Sequence, residues 1–174
     1  LLNDLAPLHL TYLPVPPDIT TMELLWVTTK VIRQNGVEFV HSHGFTAGLC
    51  AIPGSCLKGI PHLLTLHETL YNERFNGPAG FLKRTALGAL LASVSRVHCV
   101  SDAARHNLLE HLKLLRFFER RLLVIKTGID ARPFLEAERR DLKTELRLPE
   151  DSFLIGFLGR FMPEKGFDTL VDAL

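Results

Sequence analysis

Residues 59–68, with the sequence GIPHLLTLHE, combine a Gly-Ile-Pro turn signal, a short apolar run and a polar end. The run from His62 to Leu66 has the continuous apolar character of a strand that is covered on both faces. His67 and Glu68 follow it directly. The stretch therefore predicts a buried strand of a parallel sheet that presents two polar side chains at its carboxyl end.

The preceding segment repeats this arrangement. In VEFVHSHGFTAGL, residues 37–49, an apolar run that begins at Glu38–Val40 leads into His-Ser-His-Gly and then into a candidate helix start. His43 and Gly44 are expected at the carboxyl end of this strand, where glycine lets the backbone approach a ligand. Two neighbouring strands thus predict polar ends at the same edge of one sheet.

Helix and strand signals alternate on both sides of these two segments. Upstream, residues 8–13 alternate like a strand, and Thr20 with Glu23 forms a capping box for a helix that ends at Asn35-Gly36. Downstream, Pro78 opens a long helix. The stripe expected to face the core consists of Leu82, Ala86, Ala89, Leu90, Ser93 and Val94.

The rest of the first part continues the alternation. Residues 97–100 predict a short buried strand, Ser101 caps the next helix, and residues 122–125 predict another strand. Five strands that alternate with helices indicate an α/β fold with a doubly wound parallel sheet. We place a domain boundary near residue 129, with an incomplete first domain over residues 1–129 and the beginning of a second over residues 130–174.

The last stretch, residues 154–174, predicts a strand, a loop and a helix. An apolar run ends at Gly159-Arg160, and an amphipathic segment follows Lys165-Gly166. Ligands bind at the carboxyl edge of such sheets, and a helix N-terminus there favours an anion. Arg160 offers a planar fork for phosphate and Lys165 a mobile point charge. The alternative is that both cations are ordinary solvated surface.

Composition limits the classes of function. The 174 residues are 47% apolar and 22% charged, with a net charge of +1, which argues against bulk nucleic-acid binding. Cys50, Cys56 and Cys99 lie in apolar contexts without disulfide spacing, so we expect buried, reduced thiols and a reducing compartment. The sequence shows neither a membrane-spanning run nor a signal peptide.

Histidines supply the chemically interesting candidates. His41 and His43 would share a face of an extended strand and could form half of a metal site, but no third ligand stands at a recognised spacing. His67 could hydrogen-bond a sugar hydroxyl or a phosphate. The alternatives are structural roles, with His41 held by hydrogen bonds and His67 capping a strand end.

Several of these segments resemble one known family. IGFLGRFMPEKGFDTLVDAL is similar to the opening of the C-terminal domain of retaining family 4 glycosyltransferases, which have two Rossmann-like domains facing a cleft, the GT-B fold. VEFVHSHGFTAGL, IPHLLTLHE, RVHCVSDAARHNLL and LLVIKTGIDARPF resemble further family segments in the expected order. The resemblance covers most of the chain from about residue 37 onward. Thr127 stands where the family usually has Asn.

The resemblance implies an enzyme that transfers a sugar, with retention of configuration, from a nucleotide-diphosphate sugar to a glycan, lipid or small-molecule acceptor. It implies no metal or other cofactor and a cytoplasmic location, at the inner face of the membrane where the acceptor requires it. His67 matches the catalytic histidine that touches the transferred sugar, and Arg160 and Lys165 match the pair that holds the donor diphosphate. The candidate cleft-lining residues are His43, Gly44, Glu68, Gly128 and Gly159.

The family's glycine-rich loop and its paired glutamates seven residues apart have no counterpart in the sequence. We therefore expect this chain alone to be inactive. Two further classes stay open: a non-catalytic nucleotide-binding module of doubly wound fold, and a sugar-nucleotide epimerase on the same scaffold.

One more segment points to a surface role. HLKLLRFFERR, residues 111–121, mixes cations with Leu and Phe and could lie against an anionic membrane. The alternative is a helix end followed by a solvated loop.

Overall fold

The computed structural model describes residues 11–77, 79–138 and 140–174. The chain forms two compact units, one ending at Gly128 and one running from Ile129 to Leu174. This division falls one residue before the boundary expected from the sequence. The nature of the second unit as the start of a nucleotide-sugar domain stays a prediction.

A parallel sheet forms the centre of the first unit. Its strands, in chain order, are β1 (Val40–His43), β2 (His62–Leu66), β3 (Arg96–Cys99) and β4 (Leu122–Val124). They lie in the order β1-β2-β3-β4, and all three neighbouring pairs are parallel. The predicted α/β fold with a parallel sheet is confirmed.

The earliest predicted strand differs from the structure. Residues 8–10 lie outside the described part of the chain, and Thr11–Leu13 are exposed and irregular. The prolines at 14, 16 and 17 that end this segment cannot donate to a ladder. The described residues of the first unit therefore contain four strands rather than five.

Four helices connect or precede the strands: α1 (Thr21–Gln34), α2 (Phe45–Lys58), α3 (Gly80–Ala92) and α4 (Asp102–His111). The predicted capping box of α1 is present. The Glu23 amide donates to Thr20 Oγ1 over 3.3 Å, and the Thr20 amide donates to the Glu23 carboxylate over 2.9 Å. Ser101 caps α4 as predicted, by accepting from the Ala104 amide over 3.0 Å.

One face of the sheet carries the core of the first unit. Leu64 and Leu66 of β2 pack with Val97 and Cys99 of β3, and all four are almost completely buried. Side chains alternate along a strand, so the intervening residues point to the other face. On that face His41, His43 and Leu123 are exposed within the described structure.

The apolar stripe predicted for α3 faces outward, which corrects the expectation. Of its six residues only Val94 is buried, whereas Leu82, Ala86, Ala89, Leu90 and Ser93 are exposed. The helix instead buries Gly80, Gly88 and Leu91. The inward side combines these two glycines, which allow close backbone approach, with Leu91 and the partly buried Leu87, so the core-facing stripe is a different one from the stripe predicted. Pro78 lies outside the described residues, and the helix begins at Gly80.

The second unit contains short elements: α5 (Arg132–Leu135), α6 (Leu142–Glu145), a 3-10 turn (Pro163–Lys165) and α7 (Phe167–Asp172). The predicted strand over residues 153–158 does not form, because a strand requires a partner for its ladder and the described part of this unit supplies none. Phe153 and Leu158 are fully or nearly fully exposed. The apolar packing of this unit includes the rings of Phe157, Phe161 and Phe167, with centroids 4.7–5.9 Å apart.

The three cysteines are free, but their environments differ. Cys50 and Cys99 are buried as expected, whereas Cys56 is exposed near the end of α2. Burial raises the pKa of the Cys99 thiol to about 11. None of the helices in the described part of the chain is both long and apolar enough to cross a bilayer.

The contact between α2 and β2 gives a first test of the fold. A Cβ on Gly48 would lie 2.6 Å from Leu64 Cδ1, and Leu64 is completely buried, so the substitution forces a packed side chain to shift. We expect Gly48→Ala to lower the free energy of unfolding by about 1–3 kcal/mol, although alanine favours a helix over glycine by about 1 kcal/mol. Urea denaturation measures the change.

Thr46→Ala, on an exposed position of the same helix, serves as the matched control and should leave stability nearly unchanged. A Gly48→Ala protein as stable as the parent would show that α2 and β2 do not approach as closely as described.

Candidate functional site

Two histidines meet at the carboxyl edge of the sheet. His43 is the last residue of β1, and His67 follows the last residue of β2. His43 Nδ1 lies 3.1 Å from His67 Nε2, and the two rings are nearly parallel, with centroids 5.4 Å apart. The parallel register, which places His43 opposite Thr65, brings together two side chains that are 24 residues apart.

A hydrogen bond between two imidazoles holds one proton between its two nitrogens. One ring must donate and the other accept, so the pair can form when both rings are neutral or when one is protonated, but not when both are. Both side chains are exposed. Each ring keeps a second nitrogen, His43 Nε2 and His67 Nδ1, that can contact a ligand at this edge.

Gly44 completes the turn from β1 into α2. Its φ is +82°, a backbone conformation that glycine adopts without strain. Its amide donates to the Thr65 carbonyl over 2.9 Å, which ties the end of β1 to β2. The sequence placed Gly44 at the strand end as a point where the backbone can approach a ligand, and that role stays a prediction.

A row of hydrogen-bonded polar groups lies on the same face of the sheet as the histidine pair. His41 Nε2 lies 2.9 Å from Thr65 Oγ1, which lies 3.1 Å from His98 Nδ1, and His98 Nε2 lies 2.9 Å from the Ile125 carbonyl. The carbonyl can only accept, so His98 donates to it from Nε2. Neutral His98 then accepts the Thr65 hydroxyl at Nδ1, and Thr65 accepts from His41.

The surroundings of His41 disfavour its protonated form. Desolvation, together with the nearby His43 and His98, lowers the pKa of His41 below its usual value. The His41 ring also lies 4.3 Å, centroid to centroid, from the His43 ring. His41 therefore has the structural, hydrogen-bonded role that was one of the two sequence alternatives, and it packs directly against one member of the pair.

A second histidine network is fully buried on the core face. His62 is 1% exposed, with Nε2 2.7 Å from Ser42 Oγ and Nδ1 3.3 Å from Ser55 Oγ. Ser55 donates its own proton to the Ile52 carbonyl, so it accepts from His62 Nδ1 and leaves Nε2 to accept from Ser42. Neutral His62 satisfies every partner. Burial, reinforced by His41, lowers the pKa of His62.

Sequence reasoning missed Thr65, His98 and His62 as members of these networks. Each is a polar residue in an otherwise apolar strand, which was the available signal. Whether such residues meet depends on the register between strands, and register cannot be deduced from one strand alone.

The other predicted residues of the first unit are less closely placed. Glu68 is exposed beside His67, and Gly128 lies on the exposed segment after β4. In the described structure neither of them is hydrogen-bonded to the histidine pair.

Arg160 and Lys165 belong to the second unit, where they lie on one folded turn. The Met162 amide donates to the Arg160 carbonyl and the Lys165 amide to the Met162 carbonyl, each over 2.9 Å. Gly166 follows with φ +69° and leads into α7. Both cations and Gly159 are exposed, and neither cation forms an ion pair with a described residue.

Metal ligation was a sequence alternative for His41 and His43. Among residues 11–77, 79–138 and 140–174, no three His, Cys, Asp or Glu side chains group closely enough to hold a metal ion.

The chain was compared with known proteins. A family model described as Glycosyltransferase Family 4 matches residues 4–132, which include the whole sheet and the histidine pair. The match and the parallel sheet together show an α/β domain of the glycosyltransferase class. The chain belongs to glycosyltransferase family 4, as its resemblance indicated.

Three curated relatives show how far the similarity extends. An uncharacterized glycosyltransferase of Methanocaldococcus jannaschii is 30% identical over 153 residues, 83% of this chain and 36% of its own length. An alpha-maltose-1-phosphate synthase of Mycolicibacterium smegmatis is 31% identical over 77% of this chain and 36% of its own. The GPI3 subunit of the phosphatidylinositol N-acetylglucosaminyltransferase of Saccharomyces cerevisiae is 26% identical over 98% of this chain and 37% of its own. The chain thus spans about a third of the length of these relatives.

The lowered pKa of His62 predicts a pH-dependent stability. In the unfolded chain the His62 imidazole takes up a proton near pH 6.5, whereas in the folded chain it does so only at lower pH. Below pH 6.5 the unfolded state therefore binds more protons, and stability falls with falling pH until the folded pKa is passed. We expect His62→Gln to lose less stability than the parent between pH 7.5 and pH 5.5, as measured by urea denaturation.

His106→Gln is the matched control, because His106 is exposed on α4, and it should keep the parental pH dependence. An equal acid-induced loss in the parent and in His62→Gln would exclude His62 as a cause.

Proposed function

We propose that this chain is the N-terminal part, with the beginning of the C-terminal part, of a retaining glycosyltransferase that uses a nucleotide-diphosphate sugar. The observation that carries the proposal is the hydrogen-bonded pair of His43 and His67 at the carboxyl edge of a parallel sheet. Ligands of open α/β sheets bind at this edge. Family membership supports a sugar as the ligand.

In this proposal His67 is the catalytic residue of the first unit and contacts the transferred sugar. The His43–His67 hydrogen bond restricts the orientation of the His67 ring and leaves its Nδ1 free. Either tautomer of the pair can form a hydrogen bond with a sugar hydroxyl, because a hydroxyl both donates and accepts. Gly44 and Glu68 adjoin the pair in sequence and are proposed to line the same cleft.

Arg160 and Lys165 are proposed to bind the donor diphosphate. They are exposed, without ion pairs among the described residues, and held five residues apart on one compact turn. Two fixed cations can stabilise the charge that develops on a leaving diphosphate, and this is the task that a divalent metal performs elsewhere. We therefore propose transfer without a metal ion or another cofactor, with Gly128 and Gly159 near the donor.

We propose that the enzyme acts in the cytoplasm, with an acceptor that is a glycan, a lipid or a small molecule. The relative named for phosphatidylinositol supports a lipid acceptor.

The role of His67 is tested by His67→Ala in an enzyme of family length that contains this chain. Loss of one hydrogen bond to the sugar should lower kcat/KM about ten- to hundred-fold. His106→Ala, at an exposed histidine on α4, is the matched control and should retain parental kinetics. A folded His67→Ala enzyme with parental kcat/KM would contradict a sugar site at this edge.

The diphosphate role predicts a larger effect. Arg160→Ala and Lys165→Ala should each lower turnover about thirty-fold to a thousand-fold, because each removes a charge-assisted contact in the transition state. Arg160→Lys should rescue only part of the loss, since the planar fork is missing. The double variant should lose less than the product of the single effects.

Steady-state transfer kinetics measure these losses, with thermal melts to verify folding. Arg147→Ala, at an exposed arginine of the same unit, is the matched control. Near-parental turnover in both folded single variants would contradict the diphosphate assignment.

A further inference from the structure

Helix α3 presents an apolar face to solvent. Phe81 and Leu82 are 81% and 70% exposed, and Ala86, Ala89 and Leu90 are exposed on the following turns. Positions separated by four, seven and eight residues share one face of a helix, so four of these side chains form a continuous stripe. In the described structure no element covers it.

The 3-10 segment Lys113–Arg121 extends this surface, because it lies beside α3 and runs in the same direction. A Cβ added to Gly88 would lie 3.3 Å from Leu114 Cβ, and further along the Arg121 guanidinium donates to the Ala92 carbonyl over 2.7 Å. Phe117 of the segment is 85% exposed. Large apolar side chains of both elements therefore point into solvent.

The same surface concentrates positive charge. Lys113, Arg116 and Arg120 are exposed and form no ion pair with any described residue. The one carboxylate on either element, Glu119, pairs with Arg105 of α4. The whole chain carries a net charge of only +1, so this cluster is a strong local asymmetry. We call these three cations, with Phe81, Leu82 and Phe117, the basic face.

A cavity of about 180 Å³ opens between the two elements. Arg84, His111 and Lys113 line it, and no Asp or Glu does. His111 is 9% exposed, and its Nδ1 donates to the Asn107 carbonyl over 2.9 Å, whereas its Nε2 has no partner. Arg84 Nε is likewise buried without a partner.

Both side chains pack against the ring of Phe75. The Arg84 guanidinium lies 5.1 Å from the Phe75 ring centroid, and the His111 ring centroid lies 6.0 Å from it. Buried polar atoms without partners are costly, and a ligand that supplies the missing hydrogen bonds removes that cost. A phosphate group fits, because its oxygens can accept from Arg84 and from Lys113, which both line the cavity.

We propose that the basic face docks on an anionic lipid bilayer and that the cavity takes the phosphate of one lipid headgroup. Phe81, Leu82 and Phe117 would enter the interface while the cations meet the negative surface, which is the division of labour in membrane-surface segments. This inference stands apart from the transfer reaction proposed above and needs no activity to be tested.

The test is co-sedimentation of the 174-residue chain with vesicles of phosphatidylcholine alone or with 30% phosphatidylglycerol. We expect binding to the anionic vesicles only, and weaker binding at higher salt. K113E/R116E/R120E should lower the partition coefficient at least ten-fold, because it reverses three charges that attract the anionic surface. F81S/F117S should also lower it, without changing the charge.

The matched control is K30E/R33E/K58E. These three cations line a groove with the exposed Trp26 on α1 and α2, and their reversal changes the net charge equally. This control should keep at least half of the parental binding. Circular dichroism confirms that each variant is folded.

One further measurement identifies the occupant. Arg84→Gln should weaken vesicle binding, because it removes a cation that lines the cavity together with Lys113.

Several outcomes would overturn the proposal. They are equal loss in both charge-reversal variants, absence of vesicle binding, stabilisation by inorganic phosphate without vesicle binding, and a stable dimer that F81S/F117S dissociates in place of vesicle binding.

Discussion

Parallel pairing of β1 to β4 is the constraint on which the first unit depends. Parallel strands end at the same edge, and the register that sets His43 opposite Thr65 also determines which side chains meet there. Main-chain hydrogen bonds, rather than any affinity between imidazoles, thus bring His43 to His67. A shift of one residue would turn His41 and His43 to the core face and Ser42 outward, and would separate both histidine networks from their partners.

Much of this arrangement could be predicted because its signals are local. Each signal spans only a few residues: the apolar run before His67, the glycine after His43 and the capping box at Thr20. The outward face of α3 could not be predicted in the same way. Its Leu and Ala residues lie on more than one face, and the face that packs inward consists of Leu87, Leu91 and the glycines at 80 and 88, which allow close approach.

The polar networks show a second limit of sequence reasoning. Thr65 and His98 are ordinary residues of their own strands, and only the three-strand register makes them a hydrogen-bonded row that ends at the Ile125 carbonyl. In the second unit the limit is different. Residues 153–158 have the composition of a buried strand, but a strand is defined by its neighbours, and none is present among the described residues.

The basic face and the histidine pair are related through α3. The chain leaves the carboxyl end of β2 at His67 and enters α3 at Gly80, so the first turn of α3, with Phe81 and Arg84, lies toward the same end of the sheet as the pair. The 3-10 segment runs alongside α3 and begins at this end too, at Lys113. A bilayer bound at Phe81 and Lys113 would therefore lie near the edge of the sheet at which β2 ends and His67 follows it. A lipid-linked acceptor would then reach the proposed sugar site without leaving the membrane surface, and one domain would both bind the membrane and carry the residue that contacts the sugar.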